Sequence, residues 1–170
     1  TSGINSTIIG DGKFKGGNND SELTLLGIGQ VGTINFDNSN PGTTNNLKFL
    51  TLNRTISAPT HPTAGFTLGL GSDLAISDTA TLTAGTIDLG ASNMTIGASA
   101  SIAVSSPDTT KMIIASGSGE LRKTFTSAGS FTFPIGDNVL PAAEYSPATL
   151  TFTGTPSGYV GVRVQDAKHL

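Results

Sequence analysis

The residues that could do acid–base or metal chemistry in this chain are two histidines and a set of aspartates. His61 and His169 have no serine–carboxylate constellation near them in sequence, which favours surface histidines over catalytic ones. The aspartates lie between strand-like segments, where capped turns are the default and a calcium site or the carboxylate groove of a polysaccharide-cleaving enzyme is the alternative. Aromatic platforms for a sugar are nearly absent from residues 67–115, so the sequence predicts no enzyme, no cofactor and no metal site. The aspartates are Asp73, Asp78, Asp88 and Asp108.

A glycine pattern at 27–32 matches the G-x-G-x-x-G fingerprint of dinucleotide-binding proteins. That fingerprint needs a helix directly after it, because the helix N-terminus faces the pyrophosphate. Residues 33–37 read instead as a strand followed by a turn. We therefore expect a glycine-rich turn here rather than a nucleotide site.

Composition narrows the range of partners. The chain has 170 residues, no cysteine and a formal net charge of −3. Without cysteine, disulfides and zinc–thiolate sites are excluded, and without a basic surface a nucleic-acid partner is not expected. Apolar stretches of about four residues are too short to span a bilayer, so no membrane insertion is predicted. The first residues, TSGIN, lack the basic-then-apolar pattern of a signal peptide.

The elements that must carry any site are short strands. Thr, Ser, Gly and Asn account for 76 of the 170 residues, and helix-forming residues never cluster at the helical period. Units of two apolar residues around one spacer alternate with Gly, Asn, Asp and Ser, which is typical of strands and turns. The units are Leu50/Leu52, Leu68/Leu70, Leu74/Ile76, Leu82/Ala84, Ile87/Leu89, Met94/Ile96, Ile102/Val104 and Met112/Ile114.

These apolar units recur at a nearly fixed spacing between residues 50 and 114. A period of 18–20 residues with three units per period indicates a solenoid. The sequence thus predicts an all-β, three-faced parallel β-helix, in which each strand turns two side chains inward and its Thr or Ser outward. A β-sandwich throughout is the alternative, although its strands are usually spaced more widely. The spacing is 20 for Leu74–Met94, Ile76–Ile96 and Leu82–Ile102, 19 for Leu68–Ile87, and 18 for Met94–Met112 and Leu50–Leu68.

The pattern of the chain changes near Gly117, where bulkier side chains and hairpin-like turns begin. These features predict a small antiparallel sheet or half-sandwich. We therefore expect two domains: a β-solenoid at 1–115, with irregular N-terminal coils or a cap, and a small antiparallel β domain at 116–170. The alternating segments after Gly117 are 120–126, 130–135, 148–153 and 159–164, and the first two form a pair of strands around a turn at 127–129.

Several segments between residues 30 and 168 are similar, in their amino-acid sequence and in their order, to segments of a known group of proteins. They read NLKFLTLNR at 46–54, TLTAGTI at 81–87, LRKTFT at 121–126, FTFPIGD at 131–137, and YSP followed by LTF within 145–152. In these segments the chain resembles the repetitive, β-rich cell-surface proteins that Bacteroidota secrete, commonly by type IX secretion. The resemblance implies export and an extracellular surface, adhesive or filamentous role.

The same resemblance implies sites of O-glycosylation. Residues 78–80 and 108–110 match the Bacteroidota motif of Asp, then Ser or Thr, then a small or apolar residue. Thr79 and Thr109 are therefore candidate glycan sites.

Both ends of the chain carry uncharged, strand-prone segments. Unpaired backbone groups at such edges invite a strand from another chain, and head-to-tail packing can propagate as a fibre. The main hypothesis is a non-enzymatic extracellular structural protein, a cell-surface or filament subunit that assembles with itself through open β edges. The alternatives are an adhesive or carbohydrate-binding module of a larger surface protein, with glycans or other surface proteins as partners, and a polysaccharide-degrading β-helix. The candidate inter-subunit residues are Ile4, Ile8 and Ile9 at one end and Tyr159, Val160, Val162 and Val164 at the other.

Overall fold

The chain folds into strands and turns. The computed structural model describes residues 12–17, 20–28, 31–55, 66–139 and 142–165. Strand makes up 55% of these residues and none of them is helical, which confirms the predicted all-β class. The strands are β1 Glu22–Ile28, β2 Gly32–Ile34, β3 Asn46–Thr55, β4 Thr67–Leu70, β5 Leu74–Ala84, β6 Thr86–Asp88, β7 Met94–Ile96, β8 Ser101–Val104, β9 Ile113–Ile114, β10 Leu121–Phe125, β11 Gly129–Phe133, β12 Ile135–Asp137, β13 Glu144–Tyr145, β14 Ala148–Phe152 and β15 Gly158–Val162.

Two mixed, largely parallel sheets are built from alternating strands. Sheet 1 has the spatial order β1-β3-β5-β7-β10-β15, with β8 also paired to β5, and sheet 2 has the order β13-β12-β9-β6-β4-β2. A separate two-stranded sheet pairs β11 with β14. From β1 to β7 consecutive strands alternate between sheet 1 and sheet 2, so the chain crosses from one sheet to the other after each strand. The first strands of both sheets therefore lie at one end of the molecule and the last strands at the other.

Parallel and antiparallel pairing occupy different parts of the described chain. The named strands up to β9 pair with one another only in parallel, whereas every antiparallel pair of strands lies after residue 120. Strand β10 is parallel to β7 and antiparallel to β15, and β12 is parallel to β9 and antiparallel to β13. The parallel stacks thus continue past residue 115, where the sequence predicts a domain boundary, and that boundary stays a prediction.

Three of the four longer spacings coincide with observed neighbours. Strand β5 lies beside β7 and β4 lies beside β6, both in parallel. Apolar residues of neighbouring strands therefore face each other across the sheet, as the 20- and 19-residue spacings predict. The confirmed pairs are Leu74 with Met94, Ile76 with Ile96, and Leu68 with Ile87.

The 18-residue spacings do not correspond to neighbouring strands. Met94 lies opposite Leu121 instead of beside Met112, because Met112 directly precedes a strand of sheet 2. Leu50 lies opposite Ala80 of sheet 1, not beside a residue of β4. The number of residues between neighbouring strands varies along the chain. A fixed sequence spacing therefore identifies neighbouring strands only where the intervening turns are short.

Strand β5 is long because it pairs with two different strands. Its first part, 74–76, pairs with β7, and its second part, 79–82, pairs with β8. The register between β3 and β5 shifts at the same place. Leu82 consequently faces Val104, two residues beyond the Ile102 that a spacing of 20 would select.

The prediction that β10 and β11 pair with each other is wrong. Both segments are strands, but β10 lies between β7 and β15, and β11 pairs with β14. Since both edges of β10 are occupied, the bend at 126–128 carries β11 out of sheet 1.

One cluster of buried aliphatic side chains forms the core and draws on both sheets. Leu50 and Leu82 of sheet 1 and Leu68 and Ile87 of sheet 2 are fully buried. Gly85 makes the turn between the sheets with a φ of 102°, and a Cβ there would lie 2.6 Å from the carbonyl oxygen of Phe66. Only glycine fits this corner without strain.

Polar side chains connect successive strands of sheet 1 at another corner. Asn45, Asp73, Asn93 and Glu120 directly precede β3, β5, β7 and β10. Asn45 Nδ2 donates to the Asp73 carbonyl oxygen at 3.1 Å, and the Asn93 backbone N–H donates to Asp73 Oδ1 at 2.8 Å. The Glu120 N–H donates to Asn93 Oδ1 at 3.2 Å. This corner ladder, as we call the four residues, satisfies backbone groups that the strands leave unpaired.

Candidate functional site

Large exposed apolar side chains concentrate on the two strands that end sheet 1. In β1, Leu26 is 58% exposed and Ile28 is 42% exposed, and in β15 Tyr159 is 57% exposed. The other two such side chains in the described chain are Phe14 and Val139. Since an edge strand also presents unpaired N–H and C=O groups, these two edges are the leading candidate site.

Strand β1 is one edge strand of sheet 1. Among the described residues its strand partner is β3 alone. Leu23 and Leu25 pack against the core, whereas Glu22 and Leu26 are exposed. The buried Arg54 guanidinium donates through Nη1 to the Leu26 carbonyl oxygen at 2.5 Å, which ties β1 to the strand below it.

Strand β15 offers the opposite edge. In the part of the chain that the structure describes, it pairs only with β10. Val160 and Val162 are half-buried, and Val162 packs against the core. The Tyr159 ring lies under the Arg122 guanidinium at 4.8 Å, and Arg122 Nε donates to Glu120 Oε2 at 2.9 Å. The aromatic side chain is therefore held in place on the surface while most of its area stays in water.

Sheet 2 ends at the same two ends of the molecule. Strand β2 lies at the β1 end, and β13, Glu144–Tyr145, lies at the β15 end. Glu144 is exposed, while burial raises the pKa of the half-buried Tyr145 phenol. Among the described residues, Phe14 pairs with Phe36 just beyond β2 through two backbone hydrogen bonds, so the sheet 2 edge at that end is partly covered.

A further edge belongs to β8. Within the described ranges β8 pairs with β5 alone, and an open cavity of about 460 Å³ lies over the two strands. Ile102 and Val104 are half-buried beside it, and the fully buried Leu82 forms part of its floor. This edge lies along the side of the stack rather than at its end.

The edge strands can form backbone hydrogen bonds with a further strand and bury apolar surface against it. No family model, curated protein or solved structure matches the chain.

The predicted inter-subunit residues include the strand at one of these edges and not the strand at the other. Tyr159, Val160 and Val162 lie on β15 as predicted, and Val164 follows it, its N–H donating to the Ala115 carbonyl oxygen at 2.9 Å. The alternation at 22–28 marks β1 as a strand, but nothing local in the sequence says that it is an edge. The residues that fall outside the described ranges are Ile4, Ile8, Ile9, His61 and His169.

The two candidate glycan sites differ in their surroundings. The Thr79 hydroxyl donates to Asp78 Oδ1 at 2.8 Å inside β5 and is half-buried. Thr109 is exposed in a short turn that Asp108 and Lys111 close with an ion pair of 3.3 Å. Hydrogen bonds from Thr110, with smaller help from Lys111, lower the pKa of Asp108. Both sites stay predictions, and Thr109 is the more accessible.

Three of the four aspartates act on turns, whereas Asp78 accepts the Thr79 hydroxyl inside β5. Asp88 Oδ1 accepts the Gly90 N–H at 3.0 Å, Asp108 Oδ1 accepts the Thr110 N–H at 2.7 Å, and Asp73 belongs to the corner ladder. Among the described residues there is no group of three or more His, Cys, Asp or Glu placed to hold a metal ion. Nor do those residues include a helix that is long and apolar enough to cross a membrane.

The glycine pattern at 27–32 spans the end of β1 and the start of β2. Gly27 and Gly32 have positive φ values of 98° and 81°, and β2 follows directly. The strand expected after the pattern is thus confirmed. A pyrophosphate site requires a helix at this point, and strand β2 lies there instead.

A buried lysine is a site that sequence reasoning missed. Lys123 is 6% exposed, and burial lowers its pKa. Its Nζ donates to the carbonyl oxygens of Gly97 at 2.5 Å, Ala98 at 2.9 Å and Ala100 at 2.8 Å. All three ammonium protons are therefore used to hold the turn at 97–100 onto β10. The alternation of Leu121, Lys123 and Phe125 in the sequence indicates that Lys123 lies on the same inward face as its two apolar neighbours.

Proposed function

We propose that the chain is a non-enzymatic structural protein, a cell-surface or filament subunit that assembles head to tail with copies of itself through open β edges. The observation that carries this proposal is the position of Leu26 and Tyr159. They are the two most exposed large apolar side chains of the described residues, and they lie on the opposite edge strands of one sheet. A domain that works alone usually protects such edges with charges, prolines or a covering segment.

We further propose that the fold is a three-faced β-solenoid. One coil would comprise 74–76, 79–84 and 86–88, and the next would comprise 94–96, 101–104 and 113–114. Three observations support it: the alternation of strands between two sheets, the change of partner within β5, and the corner ladder that joins successive coils. Coils of unequal length account for the failure of the 18-residue spacings.

An extracellular location is part of the same proposal. It rests on the resemblance to secreted Bacteroidota surface proteins in the segments between residues 30 and 168. Such a location fits a subunit whose low charge leaves little repulsion between copies.

The deciding experiment is negative-stain microscopy of the purified chain and of a Leu26→Lys variant. We expect filaments from the wild type, and a rise of about ten-fold or more in the critical concentration for the variant, because an ammonium group cannot be buried unpaired at a strand edge. Ala91→Lys, at an exposed turn position away from both edges, is the matched control and should assemble normally. Monomeric wild-type particles at high concentration would contradict the proposal, and glycan binding by those monomers would favour the adhesive module.

A further inference from the structure

We propose that the contact between copies is an antiparallel pairing of β15 of one copy with β1 of the next, in the register that sets Glu22 opposite Arg163. This inference rests on the proposed head-to-tail assembly and specifies its interface. In this register Leu23 faces Val162, Thr24 faces Gly161, Leu25 faces Val160 and Leu26 faces Tyr159.

The direction of the pairing follows from the topology. Strands β1 to β10 along sheet 1 are parallel, whereas β15 runs antiparallel to β10. When a second copy is stacked in the same orientation on the β15 end, its β1 meets β15 in the antiparallel sense. Sheet 1 then continues from one copy into the next, and the contact is heterologous and open-ended.

The inward faces of the two strands match in this register. Leu23 and Leu25 are the half-buried residues of β1 that pack against the core. On β15, Val162 lies opposite Leu121 and Val160 lies opposite Lys123, both of which are buried, so these valines also face inward. Pairing aliphatic with aliphatic across the junction would extend the core through the contact.

The outward faces match through one apolar pair. Leu26 and Tyr159 are 58% and 57% exposed in the single chain. The proposed register sets them directly opposite each other, so each would cover the other. A slip of two residues in either direction would face Leu26 with Gly161 or Ser157 and leave the Tyr159 ring without this partner.

Charge selects the same register. Glu22 and Arg163 are both exposed, and neither belongs to an ion pair within the described residues. They lie at the matching ends of the two strands, four positions from Leu26 and Tyr159, respectively. Opposite charges facing each other across antiparallel strands stabilise the pair, and like charges destabilise it.

Cysteine cross-linking tests the register, because the chain has no cysteine of its own. A mixture of Leu26→Cys and Tyr159→Cys chains, assembled and then oxidised, should give a covalent dimer on a non-reducing gel, since directly opposite residues approach to disulfide distance. Each variant alone should give little dimer. Thr24→Cys mixed with Tyr159→Cys is the register control, and we expect at least about ten-fold less dimer from it.

The outcomes separate the interface from the proposed function. Filaments that form without the Leu26–Tyr159 cross-link, or with stronger cross-linking at Thr24, would overturn the register while leaving self-assembly intact. Failure of the wild type to form filaments would overturn the proposed function itself.

A charge exchange gives a second, independent test. Glu22→Arg and Arg163→Glu should each raise the critical concentration about two- to five-fold, because each creates a like-charge pair at the junction. The double variant restores opposite charges and should return to the wild-type value. A double variant that assembles no better than the single variants would show that these side chains do not face each other.

Discussion

At the scale of single residues, Lys123 shows how a charge can be kept inside a narrow core. Its ammonium group has no carboxylate partner among the ion pairs of the described residues, yet three carbonyl oxygens accept its three protons. A buried cation is tolerated only when its donors are satisfied. The Phe131 ring, with its centroid 5.3 Å from Nζ, adds a further favourable contact.

Removing this group should destabilise the fold although the replacement is apolar. Lys123→Met keeps the length of the side chain but removes the ammonium donor from three carbonyl oxygens, of which that of Gly97 keeps the Ala100 N–H. We expect the free energy of unfolding to fall by about 1–3 kcal/mol, measured by urea denaturation. Lys48→Met is the control, because Lys48 lies half-exposed over the Phe49 ring at 5.3 Å. Equal losses in the two variants would mean that the carbonyl contacts of Lys123 contribute nothing.

At the scale of elements, the corner ladder holds successive strands of sheet 1 in register. Asn93 is its central member, since it donates to Asp73 and accepts from the Glu120 N–H. Asn93→Ala removes the side-chain contacts on both sides, and we expect a loss of about 1–2 kcal/mol in the free energy of unfolding. Asn138→Ala, at an exposed position, should change it by no more than about 0.5 kcal/mol. An Asn93 variant as stable as the Asn138 variant would contradict a structural role for the ladder.

The elements also show which parts of the fold can be predicted from the sequence. Between Leu74 and Met94 the chain forms two strands, β5 and β6, each followed by a short turn, so their spacing predicts their pairing. Between Met94 and Leu121 the chain inserts the loop at 105–112, and no fixed period reveals its length. Turn residues such as Asp73 and Asn93 mark a corner, but bonds between corners depend on which strands become neighbours.

For the candidate site, the sequence predicts strands but not their exposure. Alternation identifies the segment around Tyr159 because it contains a run of apolar residues in alternating positions. The same alternation at Leu23 and Leu25 looks like any interior strand. Whether a strand lies at an edge is a property of the whole sheet, so the β1 edge and its complementarity to β15 could be found only in the folded chain.

At the scale of the whole molecule, the low charge determines how assembly responds to salt. The proposed junction relies on backbone pairing and on apolar contacts, with a single charge pair at its end. Raising NaCl from 0.1 to 1 M shortens the screening length from about 10 to about 3 Å. The stronger screening weakens the Glu22–Arg163 attraction at the junction. It also weakens the small repulsion between copies, each of which carries a net charge of −3. Because the two effects oppose each other, we expect the critical concentration, measured by sedimentation, to change less than about three-fold. A loss of assembly at 1 M NaCl would mean that charge, rather than strand pairing and apolar burial, holds the copies together.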